Sequence, residues 1–270
     1  AIPMSVKCGG SASRRKMEIG SEQWKTLIQN GAKILGLSVP RQALCRFAIH
    51  AQELMCWNRT VNLTSITDPL DVAVKHYLDA IVPADILPPE ASVLDIGSGG
   101  GFPGIPLKIL IPTLSVTLID ASRKKASFLK HVTRTLALDG IEVMQIRAED
   151  LLHYSKAVDS GQHLSIKRNH QPVEMLNTKI QPAFDVIISR ALSSLQKFIS
   201  VALPLLRNDG MIIAMKGRLA DLELEQAQAR LGDFLMGTEM QLNVCEMKVR
   251  RYRLPLLNAE RAMVTVTVKH

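Results

Sequence analysis

The chain has 270 residues, 47% hydrophobic and 4% aromatic, enough for one large domain or one α/β domain with a small appendage around an aliphatic, Met-rich core. No apolar run approaches the roughly 20 residues that span a bilayer, so no membrane partner is expected. The formal net charge of +8 favours an anionic partner, nucleic acid being the usual one.

Residues 1–21 read as a basic, disordered arm: Lys7, Arg14, Arg15 and Lys16 lie among glycines and serines without the apolar segment of a signal peptide, and Met4 is a candidate start. Residues 22–90 read as a helical cap. Leu27, Ile28, Ala32 and Leu35 recur at helix spacing, as do Leu44, Phe47, Ala48, Ala51, Leu54, Met55 and Trp57 after Pro40. Asp68-Pro69 reads as an N-cap with an N1 proline before Val72, Val74, Tyr77, Leu78 and Ile81.

Over residues 91–270 strands alternate with helices. Strand-like runs cover 92–96, 115–119, 142–146, 184–188 and 211–215, and helical runs cover 104–110, 122–138, 195–206 and 219–231. This predicts an α/β, mainly parallel, doubly wound sheet. Runs at 241–250 and 262–269 have no helix between them and predict an antiparallel pair at one edge. The polar stretch 155–182 is too long for an ordinary connection and reads as a mobile insertion. Its His163 and His170 have no acid or cysteine at ligand spacing, so no metal is expected. The four cysteines lack CxxC spacing, which suits a reducing compartment and places the chain in the cytoplasm.

The chemistry concentrates at 92–104. Val93, Leu94 and Ile96 make a buried strand, Asp95 is expected where that strand meets solvent, and Gly97-Ser98-Gly99-Gly100-Gly101 opens a turn. Gly99 to Gly104 formally match GxGxxG, but in the dinucleotide version the first glycine follows the strand directly. An acid followed by GxGxG is the pattern of class I, Rossmann-like S-adenosylmethionine methyltransferases. Asp95 then accepts from the cofactor's amino group or orients water there; its other role is to cap a tight turn. Asp120 ends the second strand, where a carboxylate suits a ribose diol. It would otherwise cap the following helix, a role Ser122 is expected to fill. Arg147-Ala148-Glu149-Asp150 puts N–H groups and a carboxylate at the adenine end. Ser189-Arg190-Ala191 ends the fourth strand, where this class keeps target-side residues. No Asn/Asp-Pro-Pro-aromatic clamp for an exocyclic amine stands there.

From about Leu44 to Lys269 the chain resembles bacterial small-subunit ribosomal RNA methyltransferase G, also called glucose-inhibited division protein B. The marks are Trp57-Asn58-Arg59-Thr60-Val61-Asn62-Leu63-Thr64, Asp68-Pro69, Lys75-His76-Tyr77-Leu78-Asp79, the turn from Gly97 to Pro106, Ser189-Arg190-Ala191, Lys216-Gly217 and Asn258-Ala259-Glu260-Arg261. The resemblance implies methylation of guanine N7 in 16S ribosomal RNA or the small ribosomal subunit. S-adenosylmethionine is the implied cofactor, and Gly97, Phe102, Ala148, Glu149 and Arg190 line its site. The chain departs from the family at Phe102, usually aliphatic, in its longer 155–182 insertion and in its basic arm. With the motif residues, the expected cofactor set is Asp95, Gly97, Gly99, Gly101, Phe102, Asp120, Ala148, Glu149 and Arg190, with Arg190 also the catalytic residue of a monomeric enzyme. RNA contacts are expected from Arg59, Lys75, Lys216, Arg218, Arg250, Arg251 and Arg253, and from Arg123, Lys124 and Lys125, which serve equally as a solvated helix face. His76 reads as an RNA contact or a satisfied helix histidine; Asn58 and Asn62 read as helix–turn caps. Two alternatives remain: a dinucleotide-dependent oxidoreductase and a non-catalytic RNA-binding or ribosome-assembly protein.

Overall fold

The computed structural model describes residues 17–151, 167–168, 171–172, 184–190, 194–217, 219, 221–237 and 244–269. The arm to residue 16 and Arg218 lie outside them. So does the 155–182 stretch, apart from a two-residue antiparallel pair, Lys167–Arg168 with Gln171–Pro172.

The chain opens with helices. α1 (Glu22–Ile34) is capped by Ser21, whose Oγ accepts from Trp24 N at 3.2 Å. After α2 (Arg41–Asn58), Asn58 Oδ1 accepts from the N–H groups of Leu63 and Thr64 and fixes the turn. α3 (69–81) starts under Asp68, whose Oδ1 accepts from Leu70 N and Asp71 N. Its middle, Val72–Leu78, is π-helical, a form concentrated at functional sites.

The sheet follows: β1 (Ser92–Ile96), α4 (Gly104–Leu110), β2 (Ser115–Ile119), α5 (Arg123–Thr135), β3 (Ile141–Met144), β4 (Phe184–Arg190), α6 (Leu195–Ala202), β5 (Leu206–Lys216), α7 (Asp221–Gly237), β6 (Val244–Arg253) and β7 (Glu260–Lys269). Strand order is β3-β2-β1-β4-β5-β7-β6. The first five are parallel; β7 runs antiparallel to β5, and β6 to β7. The expected α/β architecture and antiparallel edge are present. Strand β3 stops at Met144 and α5 at Thr135, both short of the sequence expectation, while β5 begins earlier, at Leu206.

Side chains alternate across a strand, so parity sorts the core. Val93, Val186, Ile188, Ile213 and Met215 face the N-terminal helices, α4 and α5. Leu94, Ile119, Ile187, Ile212 and Ala214 face α6 and α7. The core is aliphatic on both faces, but it is not Met-rich: among the described residues only Met144, Met215 and Met263 are buried methionines. The few aromatics gather where the cap meets the sheet. Trp24, Phe47, Tyr77 and Phe128 are fully buried there, each contributing about 1.5–3 kcal/mol of burial. Trp24 Nε1 also donates to Pro69 O at 2.9 Å.

Candidate functional site

The glycine turn is pinned to the neighbouring strand. Gly97 N and Ser98 N both donate to Ile119 O, at 2.9 and 3.1 Å. Gly97 has φ +75°, and a Cβ there would meet nothing within 4 Å. The backbone thus borders open space, a cavity of about 310 Å³. Gly97, Asp120, Ala148 and Glu149 line it; Ile119 and Ile146 make an apolar wall, and Phe198 and Val201 of α6 face it. Both oxygens of Asp120 receive backbone N–H groups: Gly99 N at 3.1 Å and Ser122 N at 2.8 Å. Asp120 therefore joins the two turns. Ser122, expected as the helix cap, makes no side-chain cap bond among the described residues; Asp120 takes the Ser122 N–H instead. Lys197 Nζ lies 3.7 Å from Glu149 Oε1 at the exposed mouth.

Asp95 and Arg190 lie on the other face. Asp95 shares Val93's parity and Arg190 that of Val186 and Ile188, so both turn toward the cap. Asp95 does not meet solvent: it is 0% exposed, because α4 closes over it. Its Oδ2 accepts from Gly104 N at 2.9 Å, and its Oδ1 has no hydrogen-bond partner among the described residues. Burial raises its pKa to about 7, against the Gly104 N–H and Arg190, which pull it down. Gly104 is required by this packing, since a Cβ would sit 2.7 Å from Asp95 Oδ2 and 2.5 Å from Leu118 Cδ2.

Arg190 is held by α3. Its NH1 donates to Lys75 O at 2.9 Å and stands 3.7 Å from Asp79 Oδ2. Its NH2 donates to His76 Nδ1 at 3.2 Å, which assigns the ring proton to Nε2, donating to Thr64 Oγ1 at 2.9 Å. The guanidinium carbon lies 4.8 Å from the centre of the Phe102 ring, and His76 stacks on that ring at 4.4 Å and 10°. His76 is thus a satisfied, buried helix histidine. Asp79 also accepts from Tyr252 OH at 2.8 Å and stands 3.5 Å from Arg261 Nε. Behind them His50 bridges Tyr77 OH, at 3.0 Å, and Gly100 O, at 2.9 Å, tying the cap to the glycine turn.

This region is dry, and burial shifts its ionisable groups. Burial lowers His50 to about 4 and, with the Arg190 charge and His50 adding to it, lowers His76 to about 3. Burial raises Asp79 against the pull of Arg190 and Arg261, and lowers Arg190 against the support of Asp79 and Asp95.

Of the nine sequence candidates, Gly97, Asp120, Ala148 and Glu149 meet at the cavity, and Gly99 joins them through its N–H. Asp95, Phe102 and Arg190 belong to the buried cluster, and Gly101 N donates to Ser98 O within the turn. Sequence reasoning assigned no role to His50, Asp79, Tyr252 or Arg261. The available signal was the clustering of unusual polar residues in Lys75-His76-Tyr77-Leu78-Asp79 and Asn258-Ala259-Glu260-Arg261. Several expected RNA-contacting cations are ion-paired: Lys75 with Asp71, Lys216 with Glu223 and Arg250 with Asp85. Among the described residues no group of His, Cys, Asp and Glu forms a metal site, and no helix is long and apolar enough to cross a membrane.

A family model described as rRNA small subunit methyltransferase G matches residues 44–252. A relative named ribosomal RNA small subunit methyltransferase G from Geotalea uraniireducens is 35% identical over 246 residues, covering 91% of this chain and 97% of its own length. Its namesake from Geobacter sulfurreducens is 35% identical over 240 residues, covering 89% and 95%. Among solved structures, an O-methyltransferase from Bacillus cereus in complex with SAH superposes with TM-score 0.52 at 17% identity, covering 92% of this chain and 99% of that one. A cofactor-bound protein from MTB gives TM-score 0.50 at 16% identity, covering 82% and 90%. These two share the fold. The matches favour neither alternative reading, oxidoreductase or assembly protein.

Proposed function

Since the chain belongs to the rRNA small subunit methyltransferase G family, we propose that it methylates N7 of a guanosine in 16S ribosomal RNA, using S-adenosylmethionine. The observation that carries the cofactor assignment is the open space beside Gly97, walled by Ile119 and Ile146 and flanked by the carboxylates of Asp120 and Glu149. Apolar walls suit a purine, and a carboxylate at the end of β2 suits a ribose diol. When bound, S-adenosylmethionine supplies the electrophilic methyl of its sulfonium.

The chain's own residues position and shield. Gly97 gives close approach of backbone, Asp120 and Glu149 hold polar edges, and Phe198 forms an apolar wall. Guanine N7 carries an in-plane lone pair and no proton, so no general base is needed. Positioning and the fixed field of Arg190, held rigid by Lys75, His76, Asp79 and Phe102, supply the catalysis. Asp95 acts behind the turn, fixing Gly104 and the start of α4. In this reading residues 22–90 cap a methyltransferase domain over 91–270. The enzyme works as a cytoplasmic monomer on 16S RNA or the small subunit.

Transfer of labelled methyl from S-adenosylmethionine to unmodified rRNA, with the product base mapped, tests the whole reading. A single 7-methylguanosine is expected. Methyl at another atom would overturn the acceptor assignment. Calorimetry showing no binding of S-adenosylmethionine, and no difference between wild type and Gly97→Ala, would overturn the cofactor assignment.

A further inference from the structure

A second polar cavity, of about 310 Å³, opens at the carboxyl end of β5 beside Gly217 and is walled by Arg251, Tyr252, Arg253, Glu260 and Arg261. We propose that it seats a backbone phosphate of the RNA next to the methylated guanosine. The inference deepens the methyltransferase reading and rests on it.

Charge points to an anion. Three guanidiniums line the cavity against the single carboxylate of Glu260. Two of them have exposed ion pairs, Arg251 with Asp221 and Arg253 with Glu260, each at 3.0 Å, and Arg251 NH1 also donates to Leu219 O at 3.3 Å. Such exposed pairs are worth little and exchange readily. A phosphate offers the same forks a doubly charge-assisted, bidentate partner. Arg251 and Arg253 alternate on β6, so both project from one face of that strand.

Position points to the substrate. Along the carboxyl edge the order is Asp120 after β2, Gly97 after β1, Arg190 on β4, Gly217 after β5, then Arg261 on β7. Strands lie about 4.8 Å apart, so β7 stands about 10 Å from β4, the order of one nucleotide's reach. The spacing is fixed. Asp79 holds Arg190 with one oxygen and, with the other, Tyr252 and Arg261 of the cavity wall. Arg190 and a phosphate in the cavity are thus referred to one buried carboxylate.

The test is the double variant Arg251→Gln with Arg253→Gln, assayed with wild type on unmodified rRNA between 50 and 200 mM salt. KM for RNA is expected to rise at least tenfold with kcat within twofold. The salt slope of binding should fall by about one, for the one phosphate contact removed. Cofactor affinity by calorimetry should not change. Lys248→Gln removes an exposed charge from the same strand, paired with Glu246 and away from the cavity, and should leave KM within twofold. Wild-type KM and salt slope in the double variant, or an equal loss in Lys248→Gln, would overturn the seat. Direct binding of an rRNA fragment without cofactor separates the two readings. Wild type that binds with an Arg251- and Arg253-dependent slope but transfers no methyl would uphold the seat and overturn the reaction.

Discussion

The carboxyl edge of the sheet carries two unlike regions, divided by the parity of the strands that end there. On the α6 face, Gly97 and Asp120 border an open cavity whose rim acid, Glu149, and cation, Lys197, are both exposed. On the cap face, Asp95, Arg190, His76 and Asp79 are packed among aromatics, with their donors and acceptors turned inward. The first region, in the proposed function, admits and releases a molecule, and its rim charges keep contact with water while Asp120 is held by backbone N–H groups. The second holds a cation in one place, and under the proposed function its dipoles are set during folding and do not reorganise during reaction.

The sharpest way to break this contrast is Asp79→Ala. It strands Arg190, Arg261 and Tyr252 without their carboxylate and should cost about 3–5 kcal/mol in urea unfolding. A loss under about 1 kcal/mol would mean that water reaches the cluster and the contrast fails. Next come two glycines of the same turn. Gly104→Ala drives a methyl into Leu118 and Asp95 and should cost about 1–3 kcal/mol. Gly97→Ala should cost about 1–2 kcal/mol through its positive φ, yet weaken S-adenosylmethionine binding at least tenfold in calorimetry, because its methyl enters the cavity. Equal effects of the two on cofactor binding would erase the distinction.

Acid sharpens it further. His50 and His76 have folded values of about 4 and about 3, below the ordinary 6.5, so the unfolded chain takes up protons first and stability falls as pH drops from 6.5 toward 4. Asp95, raised from 3.8 to about 7, opposes this: its contribution is full below 3.8 and gone above about 7. Asp79, raised by burial as well, also opposes it, so the two histidines leave a net slope of at most about one proton, or about 1.4 kcal/mol per pH unit, across that window. His50→Gln should flatten the slope of unfolding free energy against pH; an unchanged slope would show a wet cluster. Smallest is Lys197→Met at the open rim, expected to shift stability by less than about 0.5 kcal/mol.

What could be read from the sequence was local. The limits of β1, β2 and α4, the Asp68 cap and the Asn58 turn follow from period, turn chemistry and proline placement within a few residues. So does the meeting of Gly97 with Asp120, since both close consecutive parallel strands. Asp95 shows where such reading stops. Its place before the glycines suggested solvent, but strand parity aims it at the cap, and only the docking of α4 makes it dry. The Asp79 cluster was less legible still. Its members come from α3, β4, β6 and β7, and no spacing rule joins elements whose adjacency depends on strand order and cap packing. Ser122 stands at the cap position of α5 without a side-chain cap bond, its own N–H turned to Asp120, which spacing alone does not show.

The strand order has a further consequence, for the birth of the molecule. β7 pairs with β5 on one side and β6 on the other, so β6 meets the sheet only through a strand made after it. A nascent chain that has not yet reached Glu260 leaves the apolar run of β5 as an unpaired edge, open to pairing with other chains. An unfinished copy is therefore a risk to its neighbours rather than a slow enzyme, and Arg261 reaches Asp79 only as that edge is sealed.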